Sequence, residues 1–429
     1  MNNDVKPASG PAERAAKAIT VSDADTDTNT TDFKTPEQVA AVDDVAAPDD
    51  TRQTQPSTSD PVAPETRRSI RQRLGLQWPP TKKEYLIGGG VVLILLLATS
   101  AFALTHASKP APVATTHKAP AKPKPAPKPT TVPSTLTGLP VDPAVNQRPV
   151  TAAMIENSLD ARPQSGLSQA GVVFEAIAEG GVTRFMAVFQ DNLPTNIGPI
   201  RSARPYYVSW AKGFDAGYAH VGGSPDGLAD IRAWGVRDLD QFYNAGAYHR
   251  IDSRDAPHNV YTGVDTLMAL SQSKGFTSST YTGFARKAAA PSATPNAKSL
   301  DFTLSGYYYN PHFDYDAASN TYKRSEAGAP QIDQNSGAQL SPNVVVAIVT
   351  PLGQGELDSS GAYYSDYTVV GSGQAFVFQD GIVTIGTWNK PSNDANISFS
   401  DSAGKPLPLN PGQTWITAVS SADKVSYNP

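Results

Sequence analysis

The chain has 429 residues, room for two or three domains of about 150 residues each, and its formal net charge is −5. It contains no cysteine, which excludes a disulfide framework, a thiolate metal site, a cysteine nucleophile and a lipidated N-terminal cysteine. The part expected to fold has no strong basic excess, which argues against a nucleic-acid partner.

The first 84 residues are predicted to be an acidic cytoplasmic tail. Residues 1–66 hold 13 Asp or Glu against 5 Lys or Arg, and Phe33 is their only aromatic residue. Such a composition cannot bury enough apolar surface to offset the entropy of the chain, so we expect residues 1–84 to be disordered. The tail ends in six basic residues between Arg67 and Lys83.

Residues 85–105 are predicted to form a single transmembrane helix, which makes the lipid bilayer a partner. The 20 residues from Leu86 to Thr105 carry no charge and are long enough to span the bilayer core. The basic cluster before them favours a cytoplasmic N-terminus and an outside C-terminus. The run includes a small-residue cleavage pattern at 101–103, but the long preceding tail favours an uncleaved anchor over a signal peptide.

Residues 106–140 are predicted to form a stalk. Their proline, alanine and lysine content favours an extended, semi-rigid polyproline II spacer. The lysines could rest on an anionic lipid or wall polymer, and a solvated linker is the alternative. We place a first folded domain at 141–285, a linker at 286–300 and a second domain at 301–420.

Two alternating segments around Gly180-Gly181 predict a β-hairpin over residues 171–190. A register in which Glu179 faces Val182 would put Glu175, Glu179 and Arg184 on one face of the hairpin. That trio is either a cross-strand ion-pair cluster or a pair of carboxylates capable of acid–base chemistry. A helix over 167–179 is the rival assignment, and it also places the two acids on one face.

The stretch 198–223 predicts an anion pocket. Arg201 and Arg204 precede an amphipathic segment, and a strand then leads to His220, Gly222 and Gly223. Ser224 is suited to cap a helix that starts at Pro225, so backbone N–H groups and the helix dipole would point at one place. The alternative is an ordinary capped helix beside surface arginines.

The segment 249–259 adds polar groups that chemistry could use. We assign Arg254 and Asn259 to ligand binding, and His258, with His220, to a possible catalytic role beside Glu175 or Glu179. Three histidines could in principle hold zinc (His220, His249 and His258), but their spacing matches no familiar metal motif, so we predict no metal. We also predict no cofactor.

The second domain is predicted to be mostly β. A hairpin, a buried strand at NVVVAIVTP, turns at Gly-Ser-Gly and Asp-Gly, and a closing strand over 414–419 follow one another. Residues after Ser420 are expected to fray. The whole folded part is therefore α+β: an N-terminal α/β domain with a mixed sheet, then a smaller, mostly β domain, behind one transmembrane helix.

Several long motifs occur in one order along residues 148–420. They are MIENSLDARPQSGLSQAGVVFEAIAEGGVTRF, IGPIRSARPYYVSWA, AHVGGSPDG, APHNVYT, YTVVGSGQAFVFQDGIVTIGTWNK and LNPGQTWI. In these motifs the chain resembles the YerB-like family of bacterial envelope proteins. The resemblance implies two domains of the kind just described and an extracytoplasmic location. It brings no settled activity, and this chain departs from the family's lipid-bearing cysteine.

Three classes of function remain open. The first is a surface binding protein for an anionic wall polymer or precursor, using Arg184, Arg201, Arg204, Arg254 and the glycine turn. The second is an envelope hydrolase or transferase that uses the glutamate pair. The third is a scaffold for envelope machinery. The sequence leaves the oligomeric state unknown.

Overall fold

The computed structural model describes residues 130–429. The predicted tail (1–84), transmembrane helix (85–105) and most of the stalk (106–140) therefore lie outside the described residues. Among the helices of residues 130–429, none is both long and apolar enough to cross a bilayer.

The α-helices of this part are short: α1 is Pro205–Gly213, α2 is Pro225–Ala233 and α3 is Val264–Ser273. Proline begins α1 and α2, where its missing N–H costs nothing and its fixed φ favours a helix. The Ser224 hydroxyl caps α2 by accepting the N–H of Gly227 at 3.2 Å. The cap and helix predicted after the glycine turn are confirmed.

The remaining regular structure is β. The strands are β1 Val132–Pro133, β2 Pro140–Val141, β3 Thr151–Glu156, β4 Val172–Glu179, β5 Val182–Phe189, β6 Gly217–Ala219, β7 Arg237–Asp238, β8 His249–Arg250, β9 Val260–Tyr261, β10 Ser299–Phe302, β11 Pro311–Asp316, β12 Thr321–Glu326, β13 Ala329–Pro330, β14 Val344–Val349, β15 Leu352–Leu357, β16 Tyr363–Tyr367, β17 Gly371–Gln379, β18 Ile382–Lys390, β19 Ser398–Asp401, β20 Thr414–Val419 and β21 Val425–Asn428.

One mixed sheet contains strands from both halves of the chain. Its main order is β19-β18-β17-β14-β20-β4-β5-β3-β6-β7. The late strand β20 lies between β14 and β4 and runs parallel to both. The sheet therefore continues across the predicted linker at 286–300, and the closing strand predicted over 414–419 joins the two halves.

A second sheet, in the order β13-β12-β11-β10-β21, contributes to the core that covers one face of the large sheet. Helix α1 covers the other face, where Trp210 stacks on Phe174 with ring centroids 4.7 Å apart. The expectation that the chain frays after Ser420 is wrong, because β21 pairs with β10. The fold is α+β and mostly β, as predicted at that level.

The hairpin β4–β5 forms and turns at Gly180-Gly181, both with positive φ, as predicted. The predicted register holds only at the turn, where Glu179 faces Val182. A bulge between Ile177 and Glu179 then shifts the pairing by one residue, so that Ala176 faces Arg184 and Glu175 faces Phe185. Because side chains alternate along a strand, this one-residue shift moves Glu175 to the other face.

Tyrosine hydroxyls from α1 support the backbone around the bulge. Tyr206 donates to the carbonyl of Ile177 at 2.6 Å, and Tyr207 donates to the carbonyl of Arg184 at 2.6 Å. The Tyr207 oxygen also accepts the N–H of Ala176 at 3.0 Å. Buried backbone groups beside the irregular pairing thus keep hydrogen-bond partners.

Candidate functional site

The centre of the candidate site is Glu156, the last residue of β3, which is 4% exposed. Its Oε1 lies 3.2 Å from Nε of Arg201, 3.0 Å from Nδ1 of His258 and 3.0 Å from the Ser158 hydroxyl. The hydroxyl is also 3.2 Å from the same Nδ1. A serine–histidine–acid relay needs the serine and the acid on opposite ring nitrogens, so this arrangement is not one.

Glu156 is held as a carboxylate. Burial alone would raise its pKa, but the hydrogen bond from His258 and the charges of Arg201, His258 and Arg184 outweigh burial and lower the pKa below its ordinary value. Its Oε2 is buried and has no hydrogen-bond partner among residues 130–429. The terminal nitrogens of Arg201 likewise make no hydrogen bond within the described part, and the side chain is 25% exposed.

A second charged group surrounds Glu179, which is shared by Arg184 and Arg204. The Oε1 of Glu179 pairs with Nη2 of Arg184, and its Oε2 lies 2.6 Å from Nη2 of Arg204. The other Nη atoms of the two arginines donate to the carbonyls of Ser202 and Ala203. The alternative of an ion-pair cluster therefore fits Glu179, Arg184 and Arg204, because the terminal N–H groups of both arginines bond to protein acceptors.

The predicted pairing of Glu175 with Glu179 is wrong. Glu175 is fully buried on the other face of the sheet, where its Oε1 lies 2.7 Å from Nη2 of Arg324 and its Oε2 accepts from Trp415 at 2.9 Å. Burial raises the pKa of Glu175, and the charge of Arg324 partly offsets that rise. The two glutamates cannot act on one bond from opposite faces of a covered sheet.

The glycine turn is also filled from within. The N–H of Gly222 donates to Oδ1 of Asp240 at 3.0 Å, and its carbonyl lies 2.8 Å from Nδ1 of His220. His220 is fully buried, with Nε2 3.1 Å from Asp238. A Cβ at Gly223 would lie 3.1 Å from that of Ala203, so close packing explains this glycine. The N–H of Gly222 is therefore not free to bind a ligand, contrary to the prediction from the sequence.

The N-terminus of α2 faces carboxylates instead of an anion. A cavity of about 290 Å³ beside Ser224 is lined by four acidic side chains, Asp226, Asp230, Glu356 and Asp366. Burial, followed by the neighbouring charge of Asp226, raises the pKa of Asp230. Negative charge here disfavours a second anion, so Ser224 serves as a helix cap.

Only some residues of the segment 254–259 belong to the candidate site. Arg254 donates to the carbonyl of Pro163 at 2.8 Å, while its buried Nη1 has no partner among residues 130–429. Asn259 donates to the carbonyl of Arg254 at 3.2 Å and accepts from Arg250. Arg254 thus keeps one buried donor without a protein partner, whereas Asn259 holds the local chain.

The three histidines weighed as a zinc site have separate surroundings. His220 contacts Asp238, His258 contacts Glu156, and the ring of His249 lies 6.3 Å from that of Tyr261. Within residues 130–429 no group of three or more His, Cys, Asp or Glu side chains is arranged to hold a metal. The structure therefore does not gather the histidines that the zinc alternative needs.

The charged network has more guanidinium groups than carboxylates. Arg162 lies 3.2 Å from Glu326, which also pairs with Arg324 at 3.3 Å, and Asn157 bonds Glu326 beside Glu156. The six arginines are Arg162, Arg184, Arg201, Arg204, Arg254 and Arg324, and the four buried or nearly buried glutamates are Glu156, Glu175, Glu179 and Glu326. Asp160 adds a fifth carboxylate, 4.0 Å from Nε2 of His258, so six guanidinium groups stand against five carboxylates in this part of the molecule. The side chains of Arg201 and Arg254 are partly exposed.

Sequence reasoning missed several members of this network. Arg162 lies in the first of the family motifs, in the stretch DARPQSGL, but no sequence signal near it indicates a contact with Glu326. Sequence reasoning also missed Asp240, which accepts from the N–H of Gly222, and Asp238, which contacts His220. Both aspartates follow a helix that was predicted correctly. Their roles depend on which strand ends meet, and only the order β3-β6-β7 reveals that.

Comparison with known proteins identifies the family. The model "Protein of unknown function (DUF3048) N-terminal domain" matches residues 136–277, and the DUF3048 C-terminal domain model matches residues 300–416. "Putative lipoprotein YerB" of Bacillus subtilis (strain 168) is 31% identical over 297 residues, covering 68% of this chain and 88% of that protein.

A solved structure agrees with the sequence match. The crystal structure of the YerB protein from Bacillus subtilis superposes with a TM-score of 0.62 at 30% sequence identity, covering 70% of this chain and 100% of that one. The resemblance inferred from the motifs is confirmed: the chain belongs to the two-domain DUF3048, or YerB-like, family, whose function is unknown.

Proposed function

We propose that this protein is anchored in the cell membrane by one helix at residues 85–105 and binds an anionic ligand of the envelope outside the cell. The relative's name describes a lipoprotein, which is a membrane-attached protein. This chain has no cysteine to carry a lipid, and its uncharged run after a basic cluster supplies an alternative anchor.

Protease treatment of intact cells tests the anchor. We propose that the proline-rich stalk is accessible to protease outside the cell, so cleavage there should release the folded part of the protein. Retention of that part in intact cells, with cleavage only after lysis, would reverse the proposed orientation.

The excess of guanidinium groups around Glu156 is the observation that supports ligand binding. Arg201 and Arg254 each keep N–H donors without partners in the described part, beside the partly exposed His258. Arginine remains charged and offers paired donors that fit the oxygens of a phosphate or a carboxylate. The site that we propose is thus smaller than the pocket predicted from the sequence: it keeps Arg201, Arg254 and His258, and omits Arg204, His220 and the glycine turn.

Substitution of Arg201 should weaken binding of a simple anion. Inorganic pyrophosphate, titrated into the full-length protein by calorimetry, should bind Arg201→Gln about 10- to 100-fold more weakly, because a charge-assisted hydrogen bond contributes about 1.5–3 kcal/mol. Glu156→Gln should strengthen pyrophosphate binding, since it removes a negative charge beside the same site.

Arg237→Gln is the matched control. Arg237 has a similar exposure of 21% and a comparable ion pair with Asp215 at 2.7 Å, but it lies outside the network. Its substitution should leave pyrophosphate affinity unchanged. Equal loss of affinity in the Arg201 and Arg237 variants would show general charge attraction and would overturn the site.

A further inference from the structure

A groove lies beside Arg162. It has a volume of about 350 Å³, and its lining is mostly apolar, from Pro163, Ala327, Ala329, Pro330 and Ile332. Arg162 and Glu326 also line it and are paired with each other at 3.2 Å. The groove therefore offers apolar contact beside two charges that already neutralise each other.

Two exposed tyrosines contact residues that line this groove. Tyr307 and Tyr308 are 66% and 50% exposed, and their rings meet edge to face at 5.4 Å. The Tyr307 hydroxyl donates to the carbonyl of Ala327 at 2.8 Å, and Arg162 donates to the carbonyl of Tyr308 at 2.8 Å. A Cβ at Gly328 (φ +72°) would lie 2.7 Å from the Tyr307 oxygen, so glycine allows the ring to cross this turn.

These contacts hold the rings of Tyr307 and Tyr308 in place while at least half of each residue stays exposed among residues 130–429. An exposed apolar patch with a polar border is typical of a binding surface. The negative face of an aromatic ring attracts C–H groups, and the apolar faces of sugar rings present them, while the hydroxyl groups of the sugar stay hydrated. A groove of this size accommodates about one or two sugar units.

The groove and the cationic site are linked by hydrogen bonds. Nη2 of Arg162 donates both to the carbonyl of Tyr308 and, at 3.0 Å, to the carbonyl of Asn157, which follows Glu156. Arg254 donates to Pro163, which lines the groove. These links are the basis for one chain molecule that contacts both the cationic site and the tyrosines.

We propose that Tyr307, Tyr308 and the groove beside them form a sugar-binding subsite, and that the ligand is a polysaccharide carrying carboxylate or phosphate groups. This inference rests on the proposed function, because the cationic site supplies the attraction for the acidic groups. Charge complementarity favours an acidic glycan over a neutral one, and the aromatic edge favours a glycan over a simple polyanion.

The test compares three polymers on the full-length protein: polygalacturonate, neutral dextran and inorganic polyphosphate. Polygalacturonate should bind most tightly. Tyr308→Ala should weaken its binding by about three- to tenfold, the range expected for one lost aromatic stack, and leave polyphosphate binding unchanged. Tyr308 is the safer substitution, because its hydroxyl makes no hydrogen bond within residues 130–429.

Tyr243→Ala is the control, since Tyr243 is 83% exposed and lies on a different surface turn. It should leave all three affinities unchanged. Arg201→Gln should weaken both acidic polymers, which reports on the proposed function separately from the tyrosines. An unchanged polygalacturonate affinity in Tyr308→Ala, or a preference for polyphosphate in the parent protein, would overturn the sugar subsite even if the anion site stands.

Discussion

Arg324→Met should lower the free energy of unfolding by about 3–5 kcal/mol, the range for breaking a fully buried ion pair on one side. The Arg324 side chain is 0% exposed and lies 2.7 Å from Glu175 and 3.3 Å from Glu326. The ring of Trp415 lies 4.8 Å from its guanidinium carbon. Removal of the guanidinium leaves two buried carboxylates with one fewer counter-charge. It also removes an ion pair between the two sheets, because Arg324 lies on β12 and Glu175 on β4.

The loss should grow as pH rises. Burial already raises the pKa of Glu175, and without the guanidinium the carboxyl must take up a proton to remain buried. A folded state that binds this proton more readily than the unfolded state loses stability as pH increases above 4.5, the ordinary pKa of a glutamate carboxyl. Urea denaturation at pH 5 and pH 8 measures both the size and the direction of the effect.

Lys323→Met provides the control on the same strand. Lys323 is 48% exposed and pairs with Asp316 at the surface, so its loss should cost less than about 1 kcal/mol. Glu175→Gln combined with Arg324→Met should recover part of the stability lost at pH 8. If Arg324→Met resembles Lys323→Met, Arg324 does not stabilise the junction between the sheets.

The sequence predicted elements well where the signal was local. The Gly180-Gly181 turn, the cap at Ser224 and the prolines that begin α1 and α2 act within a few residues, and the structure has all of them. The alternating hydrophobic pattern and the glycine turns of residues 301–420 predicted the mostly β character of this part equally well. These signals also carried the family resemblance.

The site was less predictable because it depends on one extra residue and on distant strands. The bulge near Ala178 reverses the face of Glu175, and hydroxyls of Tyr206 and Tyr207 from another element support it. The partner of Glu175 is Arg324, whose strand lies in a separate sheet. No spacing within the hairpin could reveal either fact, so two acids that seemed to share one face have different neighbours.

Glu179→Gln should lower the free energy of unfolding by about 2–4 kcal/mol, more than removal of either of its arginine partners. Arg184 and Arg204 both pair with this carboxylate, and their side chains are only 4% and 5% exposed. The neutral amide would leave two neighbouring cations buried without a counter-charge. The 18% exposure of Glu179 lets water screen part of that repulsion, which places the expected loss below that of a fully enclosed pair.

Arg204→Met should cost less, about 1–2 kcal/mol, because Arg184 still neutralises Glu179 and no buried charge is left without a partner. The change removes the hydrogen bonds from Nε and Nη2 of Arg204 to Glu179 and from Nη1 to the carbonyl of Ala203. Thermal and urea denaturation of both variants, beside the exposed control Glu356→Gln, give the order of the effects. If Arg204→Met proves the more damaging, the carboxylate is not the shared centre of this cluster. The predicted order would mean that Arg204, first considered as a ligand-binding residue, stabilises the fold by pairing with Glu179.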